Sequence, residues 1–307
     1  MKLTILGSSS ALPTSERNPS AHVLKSHERF YLIDCGEGTQ LQIRKNRIGF
    51  RKINHIFISH LHGDHIFGLY GLLSTLSLMG RESPLYIYAP ESYNHILESH
   101  LQDFDIHLNF EINFVELKGN DPVKILDDKY LTVITFPLQH RIPSFGFLFR
   151  EKPAERNMLK ESITKYNIPV AMIRDIKRGA DFITEDGSVI KNEDLTLPPP
   201  HQCSYAYCSD TSYFSRLSSF VKGVDVLYHE ATFDAERKKL AGITGHSTTI
   251  DAATVAAEAG VGNLIIGHFS SRYKDISLLV DEARTVFKAT FAAEDGKSYD
   301  VENLNPI

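Results

Sequence analysis

The residues with the greatest chemical reach stand together in Ser59-His60-Leu61-His62-Gly63-Asp64-His65. Imidazole nitrogen and carboxylate oxygen are the donors that zinc accepts in catalytic sites, where one position stays open for water. From an extended segment His60 and His62 can point the same way, while Asp64 and His65 turn toward a neighbouring ion as the chain enters a helix. One loop can thus serve two ions. These donors alone do not fill two coordination shells, so others must come from farther along the chain. His140 follows Leu131–Phe136 after Pro137-Leu138-Gln139, Asp210 follows Ser204–Cys208, and His268 follows Leu264-Ile265-Ile266-Gly267. Each is a donor just beyond an apolar run, where a sheet edge presents catalytic groups. His22, His27, His55, His95, His100, His107, His201 and His229 lack such a setting and read as structural or solvent-exposed.

Positioning donors this far apart in sequence requires a layered sheet core. Strand-type runs are read at Leu3–Leu6, Ala21–Leu24, Phe30–Ile33, Ile53–Ser59, Leu85–Ala89, Leu131–Phe136, Phe145–Phe149, Ser204–Cys208, Val224–Tyr228 and Asn263–Ile266. Helical patterns fall between them at Thr39–Lys45, Phe67–Met79, Ser92–Leu101, Thr248–Ala259 and Ser277–Phe287, the fourth with Ser247 as its N-cap and Gly260 closing it. This mixture predicts two sheets sandwiched between helices. Residues 151–200 break the alternation. They open with a helical, mixed-charge stretch, break at Asn167-Ile168-Pro169, carry a hairpin signal at Asp186-Gly187 and end in Pro198-Pro199-Pro200, as an insertion projecting from a single domain of residues 1–307 would.

With 307 residues, 42% of them apolar, the chain can bury a sizeable core. Neither a signal-type apolar run at the N-terminus nor a stretch near 20 apolar residues elsewhere is present, which predicts a cytoplasmic protein. Cys35, Cys203 and Cys208 have no knuckle spacing and read as core residues. A net charge of −5 excludes a protein that coats nucleic acid indiscriminately. Local charge differs: Arg44, Lys45, Arg47, Arg51 and Lys52 form one basic run, and residues 150–178 hold eight basic against four acidic side chains. Either run is a solvated face or a phosphate-binding surface.

The set His60-Leu61-His62-Gly63-Asp64-His65, His140, Asp210 and His268 resembles the metallo-β-lactamase superfamily over nearly the whole chain. The resemblance implies an α/β fold, the αββα four-layer sandwich. It also implies that His60, His62 and His140 hold one zinc, Asp64, His65 and His268 a second, and Asp210 both. An Asp at position 210 resembles the phosphodiesterase branch. Leu6-Gly7-Ser8-Ser9-Ser10-Ala11-Leu12-Pro13, Arg17-Asn18, Leu32-Ile33-Asp34-Cys35-Gly36-Glu37-Gly38-Thr39-Gln40, His229-Glu230-Ala231-Thr232-Phe233, Gly245-His246-Ser247-Thr248 and His268-Phe269-Ser270-Ser271-Arg272-Tyr273 are similar to motifs of the ribonuclease Z family. That likeness implies zinc-dependent removal of the 3′ trailer from precursor tRNA, leaving a 3′-hydroxyl, in a homodimer, with 151–200 as the arm that grips tRNA. One departure stands in the arm: bacterial members often carry Gly-Pro after Asn-Ile-Pro, where this chain reads Val170-Ala171-Met172.

Phosphodiester hydrolysis needs a nucleophile near neutral pH, neutralisation of phosphoryl charge, and a proton for the departing oxygen. A metal pair serves the first two; the family likeness implies Asp64 as proton acceptor. For the third, His246 with Glu230 orienting it is the nominated acid, the competing role being support of a metal-bound histidine. Arg272 is read either as a phosphate contact or as a surface ion pair. The alternative function is a small-molecule phosphodiesterase or arylsulfatase-like hydrolase with the same metals, which would have no use for a basic arm.

Overall fold

The computed structural model describes residues 1–304. By contact the chain separates into two compact units, one formed by Met1–Arg150 and the chain from Cys203 onward, the other by Glu151–Gln202.

The larger unit contains two seven-stranded sheets. The first runs in the order β18 (Ser298–Asp300), β1 (Lys2–Gly7), β2 (Ala21–Ser26), β3 (Arg29–Ile33), β4 (Ile53–Phe57), β5 (Leu85–Pro90), β6 (Ile112–Leu117). The second runs β17 (Thr290–Ala292), β16 (Asn263–Gly267), β15 (Val226–Glu230), β14 (Ser204–Cys208), β9 (Ser144–Glu151), β8 (Leu131–Leu138), β7 (Val123–Asp127). Their central strands, such as β14 and β15, are buried on both faces and read as near-continuous apolar runs. Tyr31, Ile33 and Phe57 from one sheet meet Phe147, Tyr205, Tyr207 and Ile265 from the other in a single cluster. The intervening residues turn outward. Leu32, Ile56 and Ile87 pack with Leu69, Leu72 and Leu76 of helix Gly68–Leu78, and Ala206, Leu227 and Leu264 pack with Ala252, Val255 and Ala256 of helix Thr249–Ala259. Helices therefore cover the outer faces of both sheets, giving the αββα order.

Strands β3 to β6 pair in parallel, as do β14 to β17. Loops at the carboxyl ends of parallel strands are where α/β folds place ligands. Several short elements at the sheet margins, β6, β7, β17 and β18, carry too little apolar alternation to stand out in the sequence. The helix anticipated over Phe67–Met79 is Gly68–Leu78, preceded by a short helix Gly63–Ile66 that was not anticipated. The N-cap assigned to Ser247 belongs to Thr248, whose hydroxyl accepts from Asp251 N–H while the Asp251 carboxylate accepts from Thr248 N–H. This reciprocal pair satisfies two otherwise orphaned donors, whereas the Ser247 hydroxyl is turned to the Thr211 carbonyl. Gly260 closes that helix with φ of 61°. The three cysteines are buried and form no disulfide among the described residues. No helix among the described residues is long and apolar enough to cross a membrane.

The smaller unit has its own core of Ile168, Ile176, Phe182 and Leu195. It holds helices Lys160–Lys165, Val170–Lys177 and Asn192–Leu195 and two strand pairs, β10 (Asn157–Met158) with β13 (Thr196–Leu197) and β11 (Phe182–Ile183) with β12 (Val189–Ile190). The second pair is the hairpin signalled by Asp186-Gly187, and Gly187 supplies its left-handed turn residue, φ 85°. Val170-Ala171-Met172, where the sequence departs from the family, forms the first turn of helix Val170–Lys177 behind Pro169. Lys177 and Arg178 pair with Glu155, whereas Lys160, Lys165 and Arg174 make no ion pair among the described residues.

Candidate metal centre

The donors gather because the strands deliver them to one edge. After β4 the chain stays extended through His62 (φ −71°, ψ 148°) and then turns into helix Gly63–Ile66, which carries Asp64 and His65. His140 follows β8, Asp210 follows β14, and His268 follows β16. Two residues at strand exits, Asp34 and His268, take left-handed φ of 56° and 58°. The conformation is uncommon for non-glycine residues, and both side chains lie in the cluster.

Two groups form. His60 Nε2 lies 3.1 Å from His62 Nδ1, and His140 Nε2 lies 3.3 Å from the same atom. His65 Nε2 lies 3.3 Å from His268 Nε2, with Asp64 Oδ2 at 3.5 and 3.4 Å from the two. Asp210 stands between the groups. Its Oδ2 is 3.5 Å from His60 and 3.8 Å from His140, and its Oδ1 is 3.3 Å from His65 and 3.2 Å from His268. Donors bound at zinc-like distances on a tetrahedron are separated by about 3.3 Å, so these spacings are those of coordination shells. Asp210 Oδ1 is also buried without a hydrogen-bond partner among the described residues, as a metal-facing oxygen would be. His60, His62, His140 and Asp210 form one metal-competent group, and Asp64, His65 and His268 another.

Partners behind the cluster fix the tautomers. His65 Nδ1 donates to Asp34 Oδ2 (2.8 Å) and His140 Nδ1 to the Gly245 carbonyl (2.7 Å). The Ser59 hydroxyl donates to Asp34 and so accepts from His60 Nδ1 at 3.0 Å. The Thr232 hydroxyl donates to Glu230 and so accepts from His268 Nδ1 at 2.9 Å. Each bond aims Nε2 at the cluster, where a bound metal would take its lone pair. Burial drives the His60 pKa down to about 4, keeping it a neutral donor. Burial opposes charge on His65 as well, yet Asp210, Asp64 and Asp34 outweigh it and hold its pKa well above the usual value. Three carboxylates around one buried imidazole make a field that favours a cation.

His246 donates from Nδ1 to Glu230 Oε1 at 2.9 Å. Glu230 is fully buried and also accepts from the Thr211, Thr232 and Ser247 amides. Burial lowers the His246 pKa, but Glu230 and Asp210 overcome it and raise it to about 9. His246 could also join Asp210 and His268 around an ion, although its Nδ1 is engaged by Glu230. A cavity of about 540 Å³ opens on the cluster, bordered by His62, Asp64, Asp210, His246, His268, Arg141 and Phe67. Arg272 does not line it. Its guanidinium lies 5.1 Å over the Phe233 ring, and that ring is 6.2 Å from the His246 ring.

Sequence reasoning gave no role to Asp34, Thr232 or Arg141. Asp34 had a signal, a carboxylate directly after the apolar run Phe30–Ile33, the same cue that singled out Asp210. Arg141 borders His140 but only its place in the cavity wall distinguishes it from any exposed arginine. Among histidines set aside, His22 is buried against the Tyr205 hydroxyl (2.9 Å) with its pKa pushed down to about 3, and His229 is buried against the Glu230 carbonyl.

Comparison with known proteins matches residues 1–189 to the family model described as anti-Pycsar protein Apyc1. Ribonuclease Z of Bacteroides thetaiotaomicron is 43% identical over 98% of this chain and 96% of its own length. The crystal structure of the short form of human tRNase Z superposes with a TM-score of 0.73 at 28% identity, covering 98% of this chain and 99% of that one. The metallo-β-lactamase fold protein YhfI of Bacillus subtilis shares the fold, with a TM-score of 0.69 at 20% identity over 97% of this chain and 98% of that one. The chain thus belongs, through residues 1–189, to the family of that model and, over nearly its whole length, to the ribonuclease Z family on the metallo-β-lactamase fold.

Proposed function

We propose that this chain is a dinuclear zinc endoribonuclease of the cytoplasm that removes the 3′ trailer from precursor tRNA and leaves a 3′-hydroxyl. The observation that carries the two-ion reading is the Asp210 carboxylate, with one oxygen facing each donor group. His60, His62 and His140 would hold one ion, Asp64, His65 and His268 the other, with Asp210 available to both. When bound, the ions make water a nucleophile near neutral pH and offset charge on the phosphoryl oxygens.

The chain's own residues supply the rest. Asp64 Oδ2 accepts the Ala11 N–H at 2.7 Å, which fixes the carboxylate at the cavity wall where it can accept a proton from water. Glu230 holds His246 Nδ1, so that Nε2 carries the proton offered to the departing 3′-oxygen. Arg141 on the cavity wall meets the scissile phosphate, and Arg272, outside the cavity against Phe233, meets a neighbouring phosphate. The unit Glu151–Gln202 serves as the tRNA-binding arm, its unpaired cations Lys160, Lys165 and Arg174 neutralising backbone phosphates while reading shape rather than sequence. The assembly is a homodimer. Incubating the purified protein with precursor tRNA and mapping the cut by gel tests the reading. Cleavage at the trailer junction, abolished by chelator and restored by zinc, is the expected result; uncut precursor refutes it.

A further inference from the structure

Aromatic side chains of this chain are mostly buried in its core, yet Phe67 is 64% exposed. It lines the cavity together with His62, Asp64 and His268, and its ring meets no other aromatic ring among the described residues. The backbone at Phe67 is helical (φ −64°, ψ −20°), ending helix Gly63–Ile66 and opening helix Gly68–Leu78. Behind the ring lies Gly63: a Cβ built there would fall 2.3 Å from Phe67 Cε2 and 2.7 Å from Cδ2. The absence of a side chain at Gly63 therefore lets the ring pack close against the metal loop at the cavity border.

An exposed ring fixed beside a phosphodiester-cleaving centre has the form of a base-stacking platform, because single-stranded RNA is held largely by stacking on aromatic faces. We propose that Phe67 stacks on the nucleobase adjoining the scissile phosphate and thereby positions that phosphate. The inference rests on the precursor-tRNA reading above. Stacking of this kind tolerates any base, so it would serve trailers of differing sequence.

The test compares single-turnover cleavage of precursor tRNA by the wild type, Phe67→Ala and Phe67→Tyr, using substrates that are intact or abasic at the nucleotide on either side of the cut. Phe67→Ala should slow the intact substrate by about 5- to 150-fold, the range that one stacked base supplies, with metal content unchanged. Phe67→Tyr should recover most of that loss. On one of the two abasic substrates the difference between wild type and Phe67→Ala should vanish. A wild-type rate for Phe67→Ala on the intact substrate overturns the proposal. So does a penalty of equal size on both abasic substrates, as a ring that merely props the metal loop would give. Wild-type protein that leaves precursor tRNA uncut overturns the substrate reading instead, and the stacking role with it.

Discussion

Replacing Asp34 by Asn changes few atoms but should disable one side of the metal centre. Asp34 is fully buried. Its Oδ1 accepts the Ser59 amide at 2.7 Å, and its Oδ2 accepts the Ser59 hydroxyl (2.9 Å), His65 Nδ1 (2.8 Å) and the Tyr207 hydroxyl (2.7 Å). An asparagine can keep the Ser59 amide on its carbonyl, but its NH₂ then occupies the Oδ2 position, facing three former donors. Ser59 and Tyr207 can turn their hydroxyl hydrogens away and accept. His65 can stay bonded only by accepting at Nδ1, which moves its proton to Nε2, the nitrogen 3.3 Å from Asp210 Oδ1. A protonated Nε2 has no lone pair for a metal. Loss of such a supporting partner costs about 10- to 100-fold in metal affinity, or about 1.4 to 2.7 kcal/mol. Folding should weaken by about 1–3 kcal/mol, the range for a disrupted buried hydrogen bond. Chelator competition on the wild type and Asp34→Asn, with a thermal melt of each, measures both. Wild-type affinity for every bound ion in a folded Asp34→Asn protein would refute the claim that Asp34 sets the His65 tautomer.

Metal analysis should find close to two ions per wild-type chain, and Asp210→Ala should lose metal along with activity; full activity with a single tight ion would end the two-ion reading. His246→Ala should retain its metal yet turn over about 10²- to 10⁴-fold more slowly, with a smaller loss when the leaving group is p-nitrophenolate, which departs without a proton. The acid form of His246 is complete below its raised pKa of about 9 and is lost above it. Bound cations lower that value, so the wild-type rate should fall with an alkaline limb at or below pH 9 that His246→Ala lacks; an identical limb in both would reassign the group. Deleting the arm between Glu151 and Leu197 should leave hydrolysis of bis(p-nitrophenyl) phosphate intact, because no donor lies inside it. Arg150 and Ser204 pair across β9 and β14, so the flanking chain ends can be rejoined by a short Gly/Ser linker. Affinity for precursor tRNA should collapse and lose its steep salt dependence, and equal precursor cleavage with and without the arm would remove its RNA role.

The donors were legible in the sequence because metal chemistry restricts residue type and strand exits restrict position. His60, His62, Asp64 and His65 share one loop, while His140, Asp210 and His268 each follow an apolar run, and these are local properties. The sandwich was legible for a similar reason: strands such as Tyr205-Ala206-Tyr207-Cys208 are apolar on both faces, so something must cover each. The edge strands β6 and β7 were not, since their side chains are largely half-buried or exposed and carry no such constraint.

What the sequence hid was the support behind the donors. Thr232 earns its place by standing 2.9 Å from His268 Nδ1 and 2.8 Å from Glu230 Oε2, and through Glu230 it joins His246 to the same network. Asp34 faces Tyr207 from 173 residues away, across the interface of the two sheets. Neither the Thr232–His268 nor the Asp34–Tyr207 contact leaves a spacing in the chain, because each joins residues brought together only by the fold. The donors needed only the right type at a strand end; their supports needed the whole sandwich. Substitutions at Asp34 and Thr232 should therefore act on the metals through imidazoles they never leave, which separates them in experiment from substitutions of the donors themselves: weaker binding with the donor set intact, rather than a missing ligand.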